Sequence, residues 1–185
     1  YRVDGSSTFG SDKKYAPFWS SGIGWNLHNE SFLQGHPVIT MLRLKGSYGE
    51  TGSQQGSSTG ASTTYKYSTD NKNMNWNGAI LQGWGNPRLT WQKTNELNVG
   101  MEVGLWAGRL KGELNVYTKK TANLLSSMDL PLSMGYSSYI ANVGEVKNNG
   151  WELALSGYAI RDYEREVTLM FSGQLVYNKN RITKL

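Results

Sequence analysis

The chain has 185 residues, no cysteine, 22 glycines, four prolines, seven tryptophans and eleven tyrosines, and its net charge is +5 from 19 basic and 14 acidic residues. That length is enough for one domain with a sizeable core, and the absence of cysteine excludes disulfide scaffolds, zinc ribbons and thiol catalysis. The charge excess is mild, and no basic tract or aromatic-basic recognition motif accompanies it, which argues against nucleic acid as a partner.

Many Trp, Tyr and Gly with few helical patterns predict an all-β chain. Residues 1–4 read as the tail of a strand and 4–10 as a turn-rich loop. Over 18–27, Trp19, Ile23, Trp25 and Leu27 share one parity, and Ser20, Gly22, Gly24 and Asn26 the other. A connection at 28–37 leads to a strand over 39–49, where Leu42, Leu44, Gly46 and Tyr48 alternate with Arg43, Lys45 and Ser47. Residues 50–90 form the longest irregular region; its TGSQQGSSTGASTT stretch reads as a flexible loop. Tyr65, Tyr67, Trp76, Ile80, Leu81 and Trp84 could add short strands there.

The clearest alternation follows. Leu97, Val99, Met101, Val103 and Leu105 oppose Glu96, Asn98, Gly100, Glu102 and Gly104, the pattern of a strand with one apolar and one polar face. A turn at 106–109 leads into Leu110, Gly112, Leu114 and Val116 against Lys111, Glu113, Asn115 and Tyr117. A long loop over 119–150 is followed by two further strands. Trp151, Leu153, Leu155, Gly157 and Ala159 mark the first, and Val167, Leu169, Phe171, Gly173, Leu175 and Tyr177 the second, with a turn at 161–166 between them.

Two regularities select among all-β folds. Connections alternate between short (28–37, 106–109, 161–166) and long (5–17, 50–90, 119–150), as in membrane barrels. Over these strand ranges the apolar parity holds no charged residue, while the other holds Arg43, Lys45, Glu96, Glu102, Lys111, Glu113 and Glu152. Lipid demands that segregation, since a midplane Lys or Arg costs about 2–4 kcal/mol. Trp19, Tyr48, Trp151 and Tyr177 fall at strand ends beside the long loops, with Trp25 at the opposite end, as in aromatic girdles. A soluble, Trp-rich carbohydrate-binding β-sandwich is the alternative, because its inner face also excludes charge.

Five stretches in order resemble the SusC/RagA-type TonB-dependent outer-membrane transporters of Bacteroidota. Residues 2–10, RVDGSSTFG, are similar to R-x-D-G-S-S-x-F-G. Phe18 to Trp25 followed by Glu30 to Leu33 resembles F-P-S-x-x-x-G-W…E-x-F-L, with Trp19 where proline is usual. Leu42 to Gly52 resembles L-K-L-R-x-S-Y-G-x-T-G, and Asn86 to Thr94 resembles N-P-x-L-x-W-E-x-T, with Gln92 for the usual Glu. Asn142 to Glu152 resembles N-x-G-x-x-x-N-x-G-x-E.

The resemblance implies about six to seven antiparallel transmembrane strands from the later part of a 22-stranded barrel, with long extracellular loops. Residues 1–185 then form a partial barrel, without the family's signal sequence, N-terminal extension, TonB box, plug or closing strands. It also implies outer-membrane import of glycan fragments or peptides, a SusD-like surface lipoprotein as partner, and energy from the TonB complex. Outer-membrane lipid surrounds such a wall.

No catalytic constellation is present. His28 and His36 share one short connection and read as a solvated turn, too few for a metal site. Gly22-x-Gly24 and Gly100-x-x-x-Gly104 lack a phosphate-cradle context. No cofactor is expected. A symmetric turn would set Glu102 opposite Glu113, with Lys111 as their diagonal neutraliser. Substrate contacts are expected from the loop aromatics Tyr65, Tyr67, Trp76, Trp84, Tyr136 and Tyr139, since loops carry function and aromatic faces suit sugars or peptides. Alternatively, these rings pack the loops against one another.

Overall fold

The computed structural model describes residues 1–10, 13–54, 60–135, 137–162 and 164–185. Its strands are β1 (Arg2–Gly5), β2 (Tyr15–Phe18), β3 (Ser20–Asn26), β4 (Ile39–Ser53), β5 (Thr64–Asn73), β6 (Trp76–Gly83), β7 (Gln92–Leu105), β8 (Leu110–Ala122), β9 (Leu125–Asp129), β10 (Ser138–Asn142), β11 (Glu145–Asp162) and β12 (Val167–Lys184). The 3₁₀ turns Leu27–Asn29 and Leu132–Met134 are among its few helical pieces. No helix of the described chain is long and apolar enough to cross a membrane.

Six strands form one antiparallel sheet in the order β12-β11-β8-β7-β4-β3. These are the six strands expected from period-2 alternation. The hairpins β1–β2, β5–β6 and β9–β10 make separate two-stranded sheets. They lie before β3, between β4 and β7, and between β8 and β11, so all three emerge from the same end of the main sheet.

The register keeps the apolar parity on one face from strand to strand. Trp25, Leu44, Met101, Leu114, Leu153 and Leu175 form one row across all six strands. Ile23, Gly46, Val99, Val116, Trp151 and Tyr177 form the next. No second sheet covers this face: Val99 is 53% exposed and Val116 50%. A sandwich would bury such a face about 10 Å from its partner sheet. The carbohydrate-binding sandwich is therefore displaced by an open piece of barrel wall.

Several boundaries differ from expectation. The region 50–90 is partly regular: β4 runs to Ser53, and the short strands expected around Tyr65, Tyr67, Trp76, Ile80 and Leu81 form the β5–β6 hairpin, while residues 55–59 of the expected flexible stretch lie outside the described residues. Likewise 119–150 holds the end of β8, the β9–β10 hairpin and the start of β11. Trp151 and Tyr177 stack at 6.2 Å well inside β11 and β12, and are not at strand ends. These strands have 18 residues each, against the roughly 9–11 needed to span a bilayer. The surplus projects past the aromatic row at the long-loop end, where neither face needs to meet hydrocarbon and alternation has no cause to persist. In β11 a bulge at Ala159 interrupts the parity, so Ile160 pairs with Leu169.

The buried core lies outside the sheet. Phe9, Ala16, Phe18, Leu89 and Trp91 cluster at the long-loop end, with Leu125 and Ile140 packed against them. At the opposite end the histidines tie the β3–β4 turn together. His36 Nδ1 accepts from the Val38 and Ile39 N–H groups at 3.2 Å, and His28 Nδ1 lies 3.1 Å from the Leu42 carbonyl. The turn is exposed as expected, and these contacts fix it.

Candidate functional site

The long-loop end is organised by the segment Asn86 to Trp91. Pro87 presets a turn, and Asn86 Oδ1 caps it by accepting the Arg88 N–H at 3.0 Å. The turn reaches three neighbours. The Asn86 N–H bonds the Gly60 carbonyl at 2.8 Å, and its side-chain amide donates to the Ile140 carbonyl at 3.0 Å. Trp91 packs on Phe9 at 4.8 Å and Phe18 at 5.7 Å between ring centroids, and donates Nε1–H to the Lys13 carbonyl at 3.0 Å. Gly10 passes so close to the Pro87 carbonyl that a Cβ would overlap it, so only glycine fits there.

Asn142 closes the arrangement. Its Oδ1 accepts the Thr90 N–H at 2.8 Å, and its Nδ2 donates to the carbonyls of Thr90 at 2.8 Å and Asn123 at 3.0 Å. One side-chain amide thus joins the β9–β10 hairpin to the Asn86–Trp91 turn with the pairing of a sheet bridge. The sequence marks Asn86 to Thr94 and Asn142 to Glu152 by their motifs but does not point to Leu89, Trp91 and Asn142 as the centre of the loop cluster. The signal was present, since all three belong to stretches already singled out by their motifs.

Two clefts open on this platform. One, of about 380 Å³, is lined by Trp84, Asn86, Arg88, Tyr139 and Asn142 among others. The other, about 250 Å³, is lined by Gln82, Trp84, Ser127, Ser137, Ser138 and Tyr139 among others. Trp84 and Tyr139 therefore stand together at both, and Trp84 remains 46% exposed. Aromatic faces beside amide, guanidinium and hydroxyl groups can stack on an apolar or ring surface and bond a polar chain at once. The other expected aromatics lie elsewhere. Tyr65 and Tyr67 share one face of the β5–β6 hairpin, opposite Leu81 and Ala79. Trp76 takes the other parity near the hairpin tip and is 80% exposed. Tyr136 lies outside the described residues.

The polar face of the wall carries a charge network. Glu102 does stand opposite Glu113. Their neutraliser is not Lys111 but Lys45 of β4, whose Nζ lies 2.9 Å from Glu102 Oε1 and 2.7 Å from Glu113 Oε1. Gly100 makes the crossing possible: a Cβ there would come within 2.5 Å of Lys45 Cε. Asn115 Nδ2 adds a bond to Glu113 at 3.0 Å. The described residues include no group of three or more His, Asp or Glu able to hold a metal ion.

The family model for the TonB dependent receptor-like β-barrel matches residues 1–184. The chain belongs to this family. TonB-dependent receptor P26 of Formosa agariphila is 35% identical over all of this chain, which spans 18% of that relative. TonB-dependent receptor SusC of Bacteroides thetaiotaomicron is 30% identical over the whole chain, which spans 19% of it. Among solved structures, the RagAB peptide importer in its closed-closed state superposes with a TM-score of 0.89 at 32% identity, covering 99% of this chain and 20% of that one. The chain thus spans about a fifth of the length of the relatives it matches. It is a segment of a TonB-dependent receptor barrel of SusC/RagA type, a receptor family and not an enzyme family. In that barrel the uncovered apolar face is the outer one, and the Lys45 network faces the lumen.

Proposed function

We propose that this segment supplies wall and outer loops to an outer-membrane, TonB-energised importer that takes up peptides or glycan fragments with a SusD-like lipoprotein over its loops. One observation carries the reading: the β1–β2 and β9–β10 hairpins pack with Leu89 and Trp91 into one buried cluster at one end of the wall, beside clefts shared by Trp84 and Tyr139. A packed platform at the mouth suits capture of cargo and docking of a lid. Of the two cargo classes, peptide is supported by the similarity to RagAB, which is described as a peptide importer. The family's plug and TonB box have no counterpart in these residues, so coupling to TonB runs through other parts of the parent protein.

The test uses the full-length protein. A buried aromatic anchor is worth about 2 kcal/mol in a binding interface. Trp84→Ala with Tyr139→Ala is therefore expected to weaken cargo binding at least about tenfold, measured with labelled oligopeptides and oligosaccharides in parallel. Unchanged binding of both cargo classes would refute the platform's role. Orientation is tested separately by Ser137→Cys, introduced into the cysteine-free segment. Membrane-impermeant labelling on intact cells is expected, and labelling only after the outer membrane is broken would reverse the topology.

A further inference from the structure

The outer face carries a feature that the wall itself does not account for. An apolar groove of about 330 Å³ is lined by Leu97, Val99, Val116, Trp151 and Tyr177, with Thr118 and Asn149 at its long-loop rim. At that rim Asn149 pairs with Lys179. In the following row Lys120, Lys147 and Arg181 are direct cross-strand neighbours on β8, β11 and β12. Like charges directly opposite one another destabilise a sheet. Internal carboxylates answer only part of this charge: Glu145 takes Lys120 at 2.9 Å, and Glu50 takes Lys93 at 2.8 Å. Lys147 is exposed and forms no ion pair among the described residues, and Lys179 and Arg181 stand beside it on β12, the edge strand of this segment.

We propose that this face binds a phosphate-bearing lipid of the leaflet on the long-loop side, its acyl chain in the groove and its phosphate against Lys147, Lys179 and Arg181. The chemistry of each part selects that occupant. The groove is apolar and rimmed by Trp151 and Tyr177, residues that favour the depth of lipid headgroups. The cations begin one same-face row beyond, about 6–7 Å further along the strands. A headgroup phosphate attached to a buried chain would lie at that height. Arg and Lys together suit phosphate, the first by its fork and the second as a point charge. Cargo is excluded as the occupant, because it travels on the lumen side, where Lys45, Glu102 and Glu113 point.

This inference rests on the outward assignment of the apolar face, and the test separates the two. The full-length protein is purified in detergent, stripped of lipid and offered dioleoyl phosphatidic acid or dioleoyl phosphatidylcholine, with retention read by native mass spectrometry. Basic residues near a membrane surface contribute about fivefold each in affinity for anionic lipid. The variant K147Q/K179Q/R181Q is therefore expected to retain phosphatidic acid at least about tenfold less than wild type, with phosphatidylcholine unchanged. W151A is expected to reduce both lipids. Wild-type retention of phosphatidic acid is expected to fall as salt rises, a readout that needs no variant. Equal retention by wild type and the triple variant, or indifference to salt, would overturn the headgroup site while leaving the wall assignment intact. Indifference of both lipids to W151A would instead overturn the outward assignment. Loss of phosphatidic acid in the triple variant without any effect of W151A, combined with competition by inorganic phosphate, would show a free-anion site and overturn the lipid.

Discussion

Trp91 offers the sharpest test of where this segment keeps its stability. It is 4% exposed, contacts Phe9 and Phe18, and holds the Lys13 carbonyl. Truncating a buried Trp to Ala typically costs about 3–5 kcal/mol, and the orphaned carbonyl adds about 1 kcal/mol. Trp91 precedes the first residue of β7, so its contacts lie among the loop hairpins and not in the six-stranded ladder. The cost of Trp91→Ala should therefore fall on local opening of the platform. A loss of about 4 kcal/mol corresponds to a roughly thousandfold larger open population. Amide hydrogen exchange on the full-length protein should show that loss of protection at Leu89, Thr90 and Ile140 to Asn142. Protection in the facing strands β7 and β8 should be retained, as should heat-modifiable gel mobility. Trp91→Phe keeps a ring against Phe9 and Phe18 but loses the bond to Lys13, and should cost only about 1–2 kcal/mol. Equal loss of protection in β7 and β8, or none in the loops, would refute the separation of platform from wall.

Three further outcomes are expected. Val99→Arg should impair assembly into lipid vesicles by about 2–4 kcal/mol while Asn98→Arg does not, because only Val99 faces hydrocarbon; equal folding yields would contradict the face assignment. Lys45→Met should leave Glu102 and Glu113 opposed and destabilise the barrel by about 1–2 kcal/mol, and adding Glu113→Gln should recover part of it in denaturant unfolding; no recovery would argue against the network. Deleting Gln54 to Thr64 removes the Gly60 carbonyl that holds Asn86 and the Thr63 hydroxyl that holds the Gly85 N–H. That deletion should expose the Asn86–Trp91 turn to exchange, where an unstructured spacer would leave it protected.

The wall was legible in the sequence and the platform largely was not, for one physical reason. A strand between lipid and lumen meets two different solvents, so its residues must alternate, as Leu97 to Leu105 do against Glu96 to Gly104. Past the aromatic row neither face needs to meet hydrocarbon. The alternation then ends although the ladder continues, which hid Lys119 to Ala122, Glu145 to Gly150 and Asn178 to Lys184. Lys45 was missed as partner of Glu102 and Glu113 because a hairpin read alone has no third strand; only the order β4-β7-β8 brings Lys45 across Gly100. The six loop aromatics were chosen by type and location, but hairpin parity puts Tyr65 and Tyr67 on one face and Trp76 on the other, and only long-range packing brings Trp84 to Tyr139. Phe9, Phe18, Leu89 and Trp91 have no periodicity to announce a core, being drawn from three separate stretches. The same chain thus contains two kinds of order. The wall is specified residue by residue through the solvents on either side, and could lengthen or shorten by pairs of residues without losing its pattern. The platform depends on a few irreplaceable contacts, Asn142 on Thr90 and Gly10 on Pro87 among them. Cargo-binding variation is therefore expected at Trp84 and Tyr139, which line the clefts, and not at the buried residues that hold the clefts in place.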